Sequence, residues 1–161
     1  MFGGTEVIGT HQDSRDPDGS EHRLDALEFA RRAENVACYH KILAALDLWE
    51  SRMVAAADAG ADAVLAGNDA LSEISARLRC THTAARGLVE AGSLLLRMPA
   101  LADSVAHGAV DYGNLRMLTA VIGDDASIAT LAVLDEQIAR AAIELTPAKL
   151  RAQIRRAHRR S

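Results

Sequence analysis

The chain has 161 residues, 49% of them hydrophobic and 25% charged, with a formal net charge of −4. That balance fits one soluble domain with enough apolar material for a core and excludes a disordered polar chain. No apolar stretch approaches the roughly 20 residues of a membrane span. Aromatics are only 3%, so the core must come from Leu, Val, Ile and Ala, which suits closely packed helices.

Residues 1–19 carry Gly, Asp, Ser and Pro without apolar periodicity and read as a mobile N-terminal arm; residues 20–161 read as one helical domain. Ser20 is the expected N-cap of a long helix, because no Gly or Pro occurs between residues 20 and 59. The apolar stripe of that helix is expected to run through Leu24, Leu27, Val36, Leu43, Leu46, Trp49 and Met53. Residues 60–68 read as a loop, with Asn68 or Asp69 capping a second helix that ends near Leu78. Thr81 caps a third helix that runs to about Met98. Pro99 opens a short fourth helix and Gly108 closes it. Asp111 caps a fifth, ended by Gly123, and Asp124 or Asp125 caps a sixth that runs to about Ile143. Thr146 and Pro147 open a seventh, with Leu150, Ile154 and Ala157 facing inward. No segment alternates with period two. The expectation is an all-α single domain of six or seven helices, with one long N-terminal helix and one corner of helix-turn-helix type.

That corner lies in "EISARLRCTHTAARGLVEAGSLLL", residues 73–96. Ile74 is the apolar anchor, Ser75 the small residue at the crossing, and Cys80 the plug of the turn. Ala85 and Leu88 face inward. Arg79 stands where glycine is usual, so it must take a left-handed or altered turn. Thr81, His82, Thr83 and Arg86 would then sit at the N-terminal end of the second helix, the end a recognition helix uses to reach base edges and phosphates. The same pattern fits a plain structural corner, because that helix continues as a mostly apolar run.

Charge is distributed unevenly. From Lys149 onward there are six cations and no acid, so residues 1–148 carry a formal −10. Arg151, Arg155, Arg156, Arg159 and Arg160 are candidates for phosphate contact. The alternative is a solvated helix end, where cations suit the negative pole of the helix dipole.

Cys38 and Cys80 each belong to a Cys-x-His pair, with His40 and His82. Residues two apart on a helix diverge by about 200°, so neither pair suits one zinc ion. No metal and no cofactor is expected. Glu34 and His40 lack an obvious third partner, and His107 before Gly108 suits a helix end. There is no Gly-rich phosphate loop and no nucleophile elbow. The first residues lack the pattern of a signal peptide, so the expected location is cytoplasmic, with reduced thiols.

Three segments carry a family resemblance. "RRAENVACYHKILAAL" (31–46) and "TAARGLVEAGSLLLRMPALADSVAHGAVDYGNLRML" (83–118) are followed by "ELTPAKLRAQIRRA" (144–157). Together they resemble the 13E12-repeat proteins, classed as domain of unknown function 222 and abundant in actinobacteria. Arg97-Met98-Pro99 and Gly108-Ala109-Val110 stand where that family has R-L-P and G-x-I/V, and the last segment matches its late L-T-P helix. The resemblance covers about residues 24–158. It implies an α-helical domain, often followed by an HNH endonuclease. This sequence carries neither paired metal-binding cysteines nor a His-Asn-His cluster, and it stops about where the nuclease would follow. No catalytic residue is therefore carried over. The expected function is that of a non-catalytic helical module associated with DNA, a targeting or docking domain of an HNH-nuclease-type system. The alternatives are a helical module that binds another protein or itself without nucleic acid, and a truncated remnant.

Overall fold

The computed structural model describes residues 19–122 and 128–158. They form seven α-helices, and no strand occurs among the described residues. The helices are α1 (Ser20–Asp58), α2 (Ala63–Leu78), α3 (His82–Arg97), α4 (Pro99–Ala106), α5 (Tyr112–Ile122), α6 (Ile128–Glu144) and α7 (Pro147–His158). The fold is all-α. Residues 1–18 of the expected arm, and the expected signals at Gly123, Asp124 and Asp125, lie outside the described residues.

Helix α3 is the centre of the packing. It contacts α1, α2, α4, α5 and α6, and it buries Ala85, Leu88, Ala91, Leu94 and Leu95 at i, i+3, i+6, i+9 and i+10. Its apolar half therefore covers most of its length, and its polar residues are confined to the first turn and one line beyond it.

Helix α1 has 39 residues, as the absence of Gly and Pro requires, but its beginning differs from expectation. Gly19 occupies the cap position at φ 63°, and Ser20 is the first helical residue, not the N-cap. Residues 20–34 are all exposed. Leu24 and Leu27, expected on the inward stripe, are 63% and 67% exposed. Packing begins at Asn35 and continues through Ile42, Leu46 and Ala56. The stripe keeps its helical period; the body beneath it ends. The edge of the body is Gly108, where a Cβ would lie 2.6 Å from the Arg32 carbonyl oxygen. The Asn35 side-chain amide donates to the Gly108 carbonyl at 3.0 Å. Gly108 is thus needed twice: for its φ of +72° after α4, and for the close approach to α1.

Helix α2 starts earlier than expected. Asp62 caps it, its Oδ1 accepting from the backbone N–H groups of Val64 (2.8 Å) and Leu65 (3.2 Å). The expected loop therefore ends at residue 62, and Asn68 and Asp69 lie inside the helix. Gly67 is buried in that helix, within 3.5 Å of the Trp49 ring nitrogen and the Met53 sulfur measured from an ideal Cβ position. This close crossing of α1 and α2 offsets the modest cost of glycine in a helix.

Two buried polar side chains fix helix ends across the fold. Asp135 of α6 is 4% exposed, and its carboxylate accepts from Ala100 N (2.7 Å) and Leu101 N (3.0 Å), the start of α4. Met98, at the cap position of α4, makes no side-chain cap. Asn114 of α5 is 3% exposed and donates to the carbonyls of Ala142 (2.8 Å) and Leu145 (2.9 Å), the end of α6. Helix α7 opens at Pro147 as expected, with Leu150 fully buried and Ile154 half-buried; the Ala157 side chain lies outside the described residues.

Candidate nucleic-acid interface

The α2–α3 corner forms by local rules. Arg79 ends α2 at φ 51° and ψ 43°, the left-handed conformation its position demands, and its N–H returns to the α2 carbonyls. It is the one non-glycine residue with positive φ among the described residues. Ile74 is 3% exposed and anchors α2. The Ser75 hydroxyl donates to the Cys80 carbonyl, tying α2 to the turn. Cys80 is half-buried against the core, so it plugs the turn as a small apolar group. Thr81 Oγ1 accepts from Ala84 N at 3.1 Å and caps α3.

This arrangement brings four of the sequence-predicted residues together. Thr81, His82, Thr83 and Arg86 are all exposed on the first turn and a half of α3. Arg77 and Arg79 are exposed on the other arm of the corner. Between Glu73 and Glu90 the sequence has no acid. Helix α5 adds a further side chain. Arg116 lies flat on α3 over Gly87, where a Cβ would be 2.5 Å from its Nη1, and pairs with Glu90 Oε2 at 3.0 Å. Tyr112, one turn before Arg116, stands beside the same group. Burial raises its phenol above the ordinary range; the Arg116 guanidinium opposes this, while Cys38, Glu90 and Cys80 add to it.

The model of the family described as "Domain of unknown function (DUF222)" matches residues 16–161. The chain belongs to this family. No curated protein and no solved structure matches it.

In this DUF222 chain the basic tail is only partly described. Arg151 and Arg156 are exposed on α7. The Arg155 side chain and all of Arg159 and Arg160 lie outside the described residues. Helix α5 packs against both α3 and α7, and so stands between the corner and the tail.

The DUF222 chain gathers no group of three His, Cys, Asp or Glu side chains suited to a metal among its described residues. Burial raises the Cys38 thiol above its usual value, with Lys41 opposing, which keeps it protonated and weakly nucleophilic. His40 packs on Tyr39 with ring centroids 5.6 Å apart. His107 Nδ1 lies 2.8 Å from the Asp103 carbonyl at the end of α4, as its place at a helix end suggests. No helix of the described residues is long and apolar enough to cross a membrane.

Sequence reasoning missed Arg116 and Tyr112. Both are separated from the corner by about 30 positions in the chain, and their only local signal is Gly87, an unexplained glycine directly after Arg86.

Proposed function

We propose that this chain is a non-catalytic helical module that docks on duplex DNA through the α2–α3 corner, as the targeting half of an HNH-nuclease-type system in the cytoplasm. One observation carries the reading. In a chain of net charge −4, the exposed corner presents Arg77, Arg79, His82 and Arg86 with no intervening acid, around a capped helix N-terminus. Such an end admits phosphate to its free N–H groups and a guanidinium to the edge of guanine. The acidic charge of the remaining body disfavours polyanions elsewhere, which favours one orientation on the duplex.

The test is a titration of labelled duplex at two salt concentrations. The intact chain should bind with a log–log salt slope of about −0.9 per phosphate contacted. Arg86→Ala should cost about 1–3 kcal/mol on a preferred site and little on random DNA. Replacing Arg151 and Arg156 by Gln should flatten the slope and weaken binding to all sequences alike. Substitution serves better than truncation, because Leu150 of the same helix is fully buried. No binding by the intact chain at low salt refutes the reading.

A second reading is favoured by a different observation. The first four turns of α1 expose Leu24 (63%) and Leu27 (67%), three residues apart and so on one face of the helix, an apolar pair suited to another helix. A chain that binds no DNA but sediments as a concentration-dependent dimer, and as a monomer when Leu24 and Leu27 are changed to Gln, would be a self-association module.

A further inference from the structure

We infer that Arg116 is a phosphate-binding group of the α2–α3 surface, occupied by the Glu90 carboxylate until a backbone phosphate displaces it. This deepens the DNA reading above and rests on it. Arg116 comes from α5, yet its guanidinium lies on α3 beside the exposed line that carries Arg86. The fit depends on Gly87: a Cβ there would be 2.5 Å from Nη1 and 2.6 Å from Cζ, so any other side chain displaces the group. Glycine within a helix is unfavourable, and here it clears the place where the guanidinium rests.

The pair with Glu90 is not a structural lock. The two side chains are 36% and 45% exposed, and exposed pairs of this kind contribute about 0–1 kcal/mol. A phosphate diester offers a guanidinium two parallel hydrogen bonds and is drawn in by the neighbouring cations. Glu90 is also the one acid between Glu73 and Asp103 in the sequence. It stands one turn after Arg86, where a bound strand would meet it. The carboxylate therefore neutralises Arg116 in the free protein and competes with a phosphate in the complex.

The experiment is a double-mutant cycle read by titration of labelled duplex at two salt concentrations, with the full chain, Glu90→Gln, Arg116→Ala and the double variant. Far-UV circular dichroism of each confirms folding, which surface substitutions leave intact. Glu90→Gln should bind tighter than the full chain and steepen the salt slope by about 0.9, one additional phosphate. Arg116→Ala should bind more weakly, and the Glu90→Gln gain should vanish in its background. An equal gain with and without Arg116 overturns the inference, because Glu90 then merely repels the duplex. Unchanged affinity in Arg116→Ala overturns it as well. Arg86→Ala, run alongside, separates the two levels. Weakened binding there with no effect at Arg116 sinks this inference alone, whereas no binding by the full chain sinks the DNA reading beneath it too.

Discussion

Helices α3 and α4 begin in opposite ways. The N-terminus of α3 is exposed and capped by the residue next to it, Thr81. The N-terminus of α4 is largely buried, and its acceptor is Asp135, about 35 residues further along the chain. The difference follows from solvent. An exposed helix start needs one good acceptor, since water satisfies its remaining N–H groups. A buried start has no water, so each unpaired N–H incurs its full desolvation cost. A carboxylate answers this with two oxygens at once and a charge suited to the positive end of the helix. The remote cap is therefore also a tertiary contact that locks α6 against α4, while the local cap leaves the face of α3 open.

Substitutions at these caps can break or sharpen that contrast, and urea unfolding measures each. Asp135→Ala should have the largest effect, a loss of about 3 kcal/mol, because two backbone donors lose their acceptor in the interior. Asp135→Asn retains one acceptor and should recover part of the loss. A change below about 0.5 kcal/mol in Asp135→Ala would mean that water reaches the start of α4, and the contrast would collapse. Asn114→Ala comes next, at about 2 kcal/mol, since it orphans the carbonyls of Ala142 and Leu145. The loss is moderated because Asn114 Oδ1 is itself buried without a hydrogen-bond partner among the described residues. Thr81→Ala should cost about 1 kcal/mol and Thr81→Ser almost nothing, as expected of an exposed cap. Arg79→Gly should be smallest and of opposite sign, a gain of about 0.5 kcal/mol, because glycine enters the left-handed region without a Cβ clash. A loss there would show that the Arg79 side chain stabilises the turn in some way beyond its backbone.

The same contrast explains what could be read from the sequence. Signals that act within four residues were legible: Thr81 and Asp111 as caps, Pro99 and Pro147 at helix starts, Gly108 at a helix end, and the left-handed turn at Arg79. They reflect short-range hydrogen bonding and backbone sterics, which the local sequence encodes. Reading went astray wherever packing decided the outcome. Gly67 and Asn68 resemble a loop, yet contact with Trp49 and Met53 holds that stretch helical and leaves Asp62 as the cap. Leu24 and Leu27 have the spacing of a buried stripe, but periodicity does not reveal how far the body extends beneath a long helix. Of the candidate interface, the α3 residues were legible because they share one helical turn. Arg116 was not, because its place depends on how α5 crosses α3.

The exposed beginning of α1 has a consequence for how order spreads along that helix. An isolated stretch of 15 residues rarely forms a helix in water, because its first turn must fix several dihedral angles for a single hydrogen bond. Residues 20–34 escape that barrier: the packed half of α1, held by Asn35, Ile42 and Leu46, is a nucleus already formed. Each further residue then needs only propagation, which is close to neutral for ordinary helix formers. The helix should lengthen and shorten from its N-terminus residue by residue, with amide exchange slowing steadily from Ser20 toward Asn35. Any ligand for Leu24 and Leu27 meets a helix that extends from a nucleus already in place, and spends little of its binding free energy on folding it.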